Sequence, residues 1–288
     1  MTETQLHNAT QDDWPAIAAV ARATGQDEEW AGADPAYLEY LAAHGRLLVA
    51  RQDGALAGFG ATRRIGPGPA GVSMLCDLFV DPGTHGRGVG QAILAELWRA
   101  EPRRMTFSSL HAHALPLYTR FGVDAWWPLL YLAGEVAALR APAGWAAGPS
   151  EVDQVAAAEQ RWTGVDRAAD HRAWAARPYG QPALVWRDGT ALAAGTVAGH
   201  GDEYGIVHLA VAPEVSDAGA WDAVLTLLAS LPALGAPGGR ARVCLPAPHP
   251  AVRPLLEAGW RVTDKDLFMA SEPGLIDPRR AVPSPSAA

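Results

Sequence analysis

Lysine is almost absent from this chain, since Lys265 is the only one among 288 residues. Acidic residues outnumber lysine and arginine by 31 to 23, so the net charge is −8 and we expect no binding to nucleic acid. Long apolar runs are also missing, because none reaches the roughly 18 residues that a membrane-spanning helix needs. The amino terminus shows no secretion signal. We therefore expect a cytoplasmic protein that contacts no membrane.

Cysteine is scarce as well. Only Cys76 and Cys244 are present, each in an apolar run that is typical of a strand. We expect two separate buried thiols, with no disulfide and no metal site. The many Ala, Arg, Gly and Pro residues suggest a bacterial source with a GC-rich genome.

The most informative stretch is residues 80–94, which read VDPGTHGRGVGQAIL. An apolar run that begins at Met74 ends here, a glycine-rich turn follows, and an amphipathic run continues to about Ala100. Glycines let a backbone approach an anion closely, and the start of a helix adds partial positive charge. This order of strand, glycine loop and helix therefore predicts a site for a pyrophosphate.

The glycine spacing excludes two common nucleotide sites. A P-loop would need a lysine after Gly90, and none is there; a dinucleotide site would need the spacing G-x-G-x-x-G. The pattern that matches is V-x-P-x-x-x-G-x-G-x-G, from Val80 through Pro82 to Gly90. This pattern resembles the signature of the GNAT family of N-acetyltransferases. The family usually has Arg or Gln at the position of His85.

The resemblance implies acetyl-coenzyme A as cosubstrate. The backbone of Leu78, Phe79 and Val80 would bind the pantetheine arm, and the Val80 N–H would bind the thioester carbonyl oxygen as it gains charge. The pyrophosphate would lie on the loop and the first helical turn. The residues implied there are His85, Gly86, Arg87, Gly88, Val89, Gly90 and Gln91.

A second motif follows in the order that the family requires. Residues 111–123 read HAHALPLYTRFGV and resemble the family pattern N-x-x-A-x-x-L-Y-x-x-x-G-F, with His111 at the Asn position and Val123 at the aromatic position. The resemblance implies that Tyr118 donates a proton to the leaving thiolate. It also implies that His111 contacts the pantetheine.

The base that takes the proton of the amine is open in the sequence. Asp77 would face the acceptor side if the strand alternates, and His111 and His113 lie near the start of the tyrosine helix. A histidine is suited to proton transfer near neutral pH. Deprotonation through water is a further alternative, in which no single base exists.

The acceptor pocket is expected between the first two helices. The expected residues there are Glu28, Glu29, Trp30, Tyr37 and Glu39, and their acids would suit a cationic amine, although a solvated helix face explains them equally well. Trp126 and Trp127 on a later strand could also line the pocket, but neighbouring strand residues point to opposite faces.

The chain reads as the same fold twice. We predict an α/β (α+β) architecture of two tandem GNAT-like folds, each a mixed and mostly antiparallel sheet flanked by helices. The hairpin turn Asp53-Gly54 is repeated at Asp188-Gly189, and the run 77–82 is echoed at 208–213. The predicted ranges are 1–138 for the catalytic domain, 139–150 for a linker, 151–271 for a second domain and 272–288 for a disordered tail.

The second copy lacks the features of a phosphate loop. After Pro213 it reads EVSDAGAW, with one glycine, two acids and no basic residue, and Leu255 stands where the first copy has Tyr118. Acidic side chains there would repel a pyrophosphate. We expect this copy to be a scaffold; a divergent second active site is the alternative.

Together these patterns predict an acetyl-CoA-dependent N-acetyltransferase that acylates the primary amine of a small molecule by direct attack on the thioester. Two alternatives stay open. One is a non-catalytic acyl-CoA-binding or regulatory protein; the other is an acyltransferase similar to mycothiol synthase, in which the carboxy-terminal copy is the active one. The protein could act as a monomer or a homodimer.

Overall fold

The computed structural model describes residues 4–25, 30–67, 71–200, 203–236 and 239–286. The chain divides into two compact units. The first unit consists of the described residues up to Asp124, with 269–272 and residue 286; the second consists of residues 125–268 and 273–285. This division falls earlier than the expected boundary at residue 138. Within the described ranges, no helix is both long and apolar enough to cross a membrane.

The first unit is a mixed sheet with helices on it. Its strands are β1 (Gln5–Asn8), β2 (Gly45–Gln52), β3 (Ala55–Ile65), β4 (Val72–Val80) and β5 (Arg104–Ser108), and its helices are α1 (Trp14–Ala23), α2 (Pro35–His44), α3 (Val89–Leu97) and α4 (Ala114–Arg120). The pairs β1–β2, β2–β3 and β3–β4 are antiparallel, whereas β4 and β5 are parallel.

Local sequence explains these elements. Asp53 and Gly54 both have positive φ angles, 50° and 80°, as the tight turn between β2 and β3 requires. Helix α3 buries Ile93 and Leu97 completely or nearly so. A Cβ placed on Gly60 of β3 would lie 2.6 Å from Ile93 Cγ2, so glycine at this position lets the helix pack closely on the sheet.

The second unit repeats the order of elements. Its strands are β6 (Asp124–Glu135), β7 (Trp145–Pro149), β8 (Gln181–Arg187), β9 (Thr190–His200), β10 (Glu203–Val211), β11 (Arg240–Pro246), β12 (Arg261–Ala270) and β13 (Ala281–Val282), and its helices are α5 (Val152–Thr163), α6 (Ala168–Ala175), α7 (Asp217–Ala229) and α8 (Val252–Glu257). Strands β7 to β10 pair antiparallel in sequence, and β10 pairs parallel with β11. The prediction of two mixed, mostly antiparallel folds in tandem is therefore confirmed.

Two segments differ from the expectation. The expected linker, residues 139–150, contains β7, which pairs with β8 and buries Trp145. Within the expected disordered tail, β13 pairs with β10, and Val282 is completely buried. In both segments an apolar residue and the unpaired edge of a neighbouring strand order a stretch whose Pro and Gly content predicted otherwise.

Of the two thiols that were expected to be buried, Cys244 is buried and Cys76 is half-buried.

Candidate active site

Strand β4 contains a bulge in the middle of the first unit. Ala61 of β3 lies opposite Asp77, but the next residue, Thr62, lies opposite Leu75, so Cys76 is an extra residue on β4. The parallel pairing with β5 runs only from Ser73 to Leu75. Strands β4 and β5 therefore pair as far as the bulge and diverge after it.

A side-chain hydrogen bond links the last two paired residues of β4 and β5, Leu75 and Thr106. The Oγ1 of Thr106, on β5, donates to the Leu75 carbonyl oxygen at 3.0 Å. Thr106 was not among the residues that the sequence analysis selected, and its only signal there is a polar, β-branched residue within an apolar strand.

The direction of the backbone groups after the bulge follows from one hydrogen bond. The Asp81 N–H donates to the Ala57 carbonyl oxygen at 2.9 Å, so this opposed pair is a hydrogen-bonded one. Opposed pairs in an antiparallel ladder alternate between hydrogen-bonded and non-hydrogen-bonded. Phe79, two residues before Asp81, therefore also turns its N–H and C=O toward β3. Leu78 and Val80 turn theirs the other way, to the side of β5. Of the three residues expected to bind pantetheine, the backbones of Leu78 and Val80 have the required direction, and that of Phe79 does not.

The glycine loop leads into helix α3 with exposed backbone donors. Gly86 and Gly88 have φ angles of 78° and 80°, and a Cβ on either would have no heavy atom within 4 Å. Gly88 is the N-cap of α3, and no side chain caps the helix. The N–H groups of Val89, Gly90 and Gln91 in the first turn have no partner within the helix.

The charge at this loop is suited to an anion. The Arg87 side chain is exposed and, among the residues that the structure describes, makes no ion pair. Uncapped N–H groups at a helix start and a free guanidinium favour a phosphate group. The residues present therefore fit a pyrophosphate.

Three histidines lie beside the loop. The Nε2 of His85 is 3.0 Å from the Val80 carbonyl oxygen, so that nitrogen carries a proton. The ring of His113 is 6.1 Å from the ring of His85 and 5.3 Å from that of His111, measured between centroids. All three are exposed. His85 thus contacts the end of β4, while the Nδ1 of His111 accepts from the His113 N–H at 3.4 Å.

Helix α4 joins the same region. A Cβ on Gly90 would lie 3.3 Å from Val80 Cγ2 and 3.7 Å from Leu117 Cδ2, so the end of β4, the start of α3 and α4 meet there. Tyr118, the next residue of α4, is buried, and its ring lies 6.4 Å from that of Trp98. The two motifs of the sequence are therefore brought together in one unit.

Asp77 lies directly after the bulge and is buried beside Trp30, in the segment between α1 and α2, and Tyr37 of α2. Its Oδ1 accepts from Trp30 Nε1 and its Oδ2 from the Tyr37 hydroxyl, both at 2.9 Å. Burial raises the pKa of Asp77 from 3.8 to about 6, and the two hydrogen bonds offset only part of that effect. A carboxylate with this pKa can accept a proton near neutral pH.

Two further aromatic rings pack on Trp30, one of the two donors to this carboxylate. The ring of Trp30 lies 5.5 Å from that of Phe59 and 5.7 Å from that of Phe79, and these two lie 5.2 Å from each other. Trp30 and Tyr37 were expected to line an acceptor pocket. In the structure each donates a hydrogen bond to Asp77, a pairing that the sequence did not indicate.

Glu39, a further residue expected at the acceptor pocket, makes no hydrogen bond to Asp77. Glu39 is exposed, and its Oε1 is 3.5 Å from Gln11 Nε2. Glu28 and Glu29 lie outside the described residues. Trp126 and Trp127 fall in the second unit, where the ring of Trp127 stacks on Phe268 at 4.3 Å.

The second unit has a bulge at the corresponding place with different side chains. Ile206 of β10 lies opposite Val197 and His208 opposite Thr196, so Val207 is the extra residue. His208, at the position of Asp77, bonds Glu159 of α5 between its Nε2 and a carboxylate oxygen at 2.9 Å. This bulge was not predicted in either unit.

Glu159 is the centre of a buried ionic cluster. Its carboxylate also bonds His171 Nε2 at 2.8 Å and Arg167 Nε at 3.1 Å, and His171 Nδ1 is 2.8 Å from Thr196 Oγ1. Burial opposes ionisation of Glu159, but the two imidazoles and the guanidinium outweigh it and lower its pKa. Burial lowers the pKa of His208. The described residues show no cluster that could hold a metal ion.

Comparisons with known proteins agree with this geometry. Residues 43–123, which include β4, the glycine loop, α3 and α4, match the family model of the acetyltransferase (GNAT) domain. No curated protein matches the chain.

Solved structures match nearly the whole chain at low sequence identity. A provisionally assigned acetyltransferase from Pyrococcus horikoshii has a TM-score of 0.73 at 14% identity over 99% of this chain and 95% of its own. A GCN5-related N-acetyltransferase from Kribbella flavida has a TM-score of 0.61 at 15% identity, over 96% of this chain and 74% of its own. A tandem GNAT protein from the clavulanic acid biosynthesis pathway has a TM-score of 0.60 at 15% identity, over 96% of this chain and 100% of its own. At these identities the matches show a shared fold.

Proposed function

We propose that the first unit transfers an acetyl group from acetyl-CoA to the primary amine of a small molecule, since residues 43–123 match the acetyltransferase (GNAT) domain and the chain shares its fold with a tandem GNAT protein. The observation that carries this proposal is the divergence of β4 from β5 beside the uncapped start of α3. A diverging strand offers backbone donors and acceptors to an extended ligand, and the helix start offers N–H groups to its phosphates.

The cofactor would be held by two groups of residues. Leu78 offers its N–H and C=O groups to the pantetheine arm, Val80 continues the same strand edge toward the thioester, and the N–H groups of Gly88 to Gln91 with the Arg87 side chain hold the pyrophosphate. His85 would support the site indirectly, because its Nε2 holds the Val80 carbonyl oxygen. His111, exposed near the start of α4, is assigned to the pantetheine as the family motif implies. The bound cosubstrate supplies the activated acyl group as a thioester.

Asp77 is assigned as the proton acceptor for the amine. Its two oxygens accept one hydrogen bond each, and an ionised carboxylate has capacity for two more. An attacking amine must lose a proton, which Asp77 takes directly or through water. His111 and His113, the other candidate bases, lie in the exposed row of histidines, whereas Asp77 is buried beside Trp30 and Tyr37.

Tyr118 and Val80 complete the assignment. The Val80 N–H would donate to the carbonyl oxygen as it gains negative charge, and the Tyr118 hydroxyl would give its proton to the departing sulfur. The amine nitrogen then carries the acyl group and coenzyme A leaves as the thiol. Proton exchange with solvent restores Asp77 and Tyr118.

The surroundings of Asp77 support a class of acceptor. Trp30 bonds this carboxylate, and its ring packs on buried Phe59 and half-buried Phe79. These surroundings favour a compact amine with an apolar body, whose cationic form pairs with the carboxylate before deprotonation.

The two other candidate functions make different predictions. A non-catalytic acyl-CoA-binding protein would bind acetyl-CoA without releasing thiol in the presence of any amine. An enzyme similar to mycothiol synthase would use the second unit. Against this, α7 is capped by its own Ser216 side chain, which accepts from the Gly219 N–H at 3.2 Å, and begins with Asp217, so its start does not favour a pyrophosphate.

The experiment that tests the proposal is acetyl-CoA turnover against a panel of primary amines, with the released thiol measured. We expect thiol release that depends on one class of amine and requires Asp77 and Tyr118. Tight binding of acetyl-CoA without turnover on any amine would favour the non-catalytic alternative.

A further inference from the structure

A short strand near the carboxyl end lies where the two parallel strands of the second unit diverge. Strand β10 pairs with β11 only at Gly205 and Ile206, just before the bulge. After the bulge, Leu209 and Ala210 pair with Val282 and Ala281 of β13. Strand β9 already occupies the other edge of β10 along this length. Strand β13 is therefore on the β11 side, in the slot that the divergence opens.

The backbone directions in this slot match those of the first unit. The Ala212 N–H donates to the Leu192 carbonyl oxygen at 2.9 Å, which corresponds to the bond between Asp81 and Ala57. By the same alternation, Leu209 and Val211 turn their polar groups away from β9. The Val211 N–H donates to the Arg280 carbonyl oxygen at 3.0 Å. Val211 corresponds to Val80, whose N–H we assign to the acyl group.

Side chains fix the segment in place. Val282 is completely buried, and Pro283 and Ser284 are buried next to it. Asp217, the first residue of α7, accepts from Arg279 Nε at 3.1 Å and from Arg280 Nη1 at 3.1 Å. The segment thus offers an apolar anchor to the slot and two cations to the start of α7.

We propose that this slot is a peptide-binding site, and that residues 279–284 are its ligand within the same chain. The class of ligand is an extended peptide with arginine before a short apolar residue, bound by strand addition. The slot takes this peptide and not acyl-CoA, whether or not the segment is in place, a distinction that rests on the proposed role of the corresponding slot in the first unit. The charges favour a peptide over coenzyme A, because Asp217 and Glu214 at the start of α7 would repel a pyrophosphate.

The test converts the segment into a separate molecule. A protease site inserted between Pro273 and Gly274, both exposed, allows the folded protein to be cut so that residues 274–288 are held only by non-covalent contacts. A fluorescent synthetic peptide of the same fifteen residues is then added in excess, and its binding is followed by anisotropy. We expect it to replace the cut segment and to bind with about one peptide per chain.

Variant peptides separate this site from a non-specific surface. Replacing Val282 by Asp should weaken binding at least about tenfold, because the side chain enters a fully apolar position. Replacing Arg279 and Arg280 by Gln should weaken it and remove its dependence on salt. A scrambled peptide should not bind. Equal binding of all four peptides, or no binding of any of them to the cut protein, contradicts the proposal.

Counting acetyl-CoA sites keeps the two proposals apart. The cut protein, freed of its segment by gel filtration in mild denaturant and refolded, should bind the same number of acetyl-CoA molecules as the intact chain. An additional site in the depleted protein would contradict the peptide assignment. If neither form binds acetyl-CoA while the peptide still exchanges, the proposed function fails and the peptide site stands.

Discussion

The two units have a bulge at the same point of the fold, but the buried carboxylic acid beside it has its pKa raised in one unit and lowered in the other. In the first unit Asp77 accepts hydrogen bonds from the neutral groups of Trp30 and Tyr37, and burial raises its pKa to about 6. In the second unit the buried acid is Glu159, whose pKa is lowered because two imidazoles and a guanidinium outweigh its burial. The first carboxylate is set up to exchange a proton, and the second is fixed as a charge.

Helices α3 and α7, which follow the two bulged strands, also differ at their first turns. Helix α3 begins at Gly88 with no side-chain cap, whereas Ser216 caps α7 and Asp217 bonds two arginines of the chain's own carboxyl-terminal segment. An uncapped helix start leaves all of its first-turn donors for a ligand, whereas the Ser216 cap occupies one donor of α7 and Asp217 adds negative charge beside the others. The difference teaches that the shared backbone provides a slot in both units, while a few side chains decide whether a ligand or the chain itself fills it.

The largest expected effect is on cofactor binding. Gly88→Glu places a carboxylate at the uncapped helix start, so we expect the affinity for acetyl-CoA to fall at least about 1000-fold, since like charge meets the pyrophosphate. Isothermal titration calorimetry measures it. Gly164→Glu is the matched control, because Gly164 also has a positive φ angle, 74°, and open space around it, but ends a helix of the second unit. Equal losses in both variants would refute the assignment.

The second effect is on stability and distinguishes the buried cluster from a catalytic site. Glu159→Gln removes the negative charge that pairs with Arg167, and we expect a loss of roughly 3–5 kcal/mol in the free energy of unfolding. Denaturant titration measures the loss. Glu257→Gln, at an exposed pair with Arg253, should change stability by less than about 0.5 kcal/mol. If Glu159→Gln left stability intact and abolished acyl transfer, the second unit would hold the reaction instead.

The third effect is on the chemical step alone. Tyr118→Phe keeps the ring and removes the proton donor, so kcat should fall about 100-fold or more while KM for acetyl-CoA changes little. Steady-state kinetics with a thiol readout measure both constants. Tyr179→Phe, at an exposed tyrosine, is the control. An unchanged kcat would leave Tyr118 as a packing residue only.

The smallest effect at neutral pH is expected for Asp77, with a distinctive pH dependence. In the wild type kcat/KM should rise with pH through an apparent pKa of about 6, as the carboxyl ionises. Asp77→Asn should lower kcat/KM about tenfold to 100-fold at neutral pH, and the acidic limb of the pH profile, which is the rise near pH 6, should be absent. If the limb persisted in the variant, one of the histidines or water would be the base.

Stability provides an independent check on Asp77. Its pKa is higher in the folded protein than the ordinary value of 3.8, so the folded state holds the proton more tightly between pH 3.8 and about 6. The wild type should therefore lose stability as pH rises through this window, by at most roughly 3 kcal/mol from this group. Asp77→Asn should lack that part of the slope in denaturant titrations across the window.

The sequence predicted the features that depend on near neighbours. The strand, the glycine loop and α3 are adjacent in the chain, and the glycines with positive φ angles appear directly as Gly86 and Gly88. The hairpin turns at Asp53-Gly54 and Asp188-Gly189 were recognisable for the same reason. The tandem repeat was visible because both copies keep this order of elements.

Features that depend on distant partners could not be predicted. Trp30 and Tyr37 meet Asp77 across 47 and 40 residues of chain, and no local pattern indicates which polar groups they bond. The bulges at Cys76 and Val207 depend on register with a neighbouring strand. Strand β13 was mistaken for disorder because its proline-rich sequence has little strand propensity, and it is ordered by the free edge of β10.

The central claim is that acetyl-CoA binds to the first unit and not to the second. Amide hydrogen exchange with and without acetyl-CoA tests it most directly, since it reports which backbone N–H groups a ligand protects. The account predicts protection at residues 78–91, along the end of β4, the glycine loop and the first turn of α3, with no change at residues 209–219. Protection at 209–219 without protection at 78–91 would contradict it.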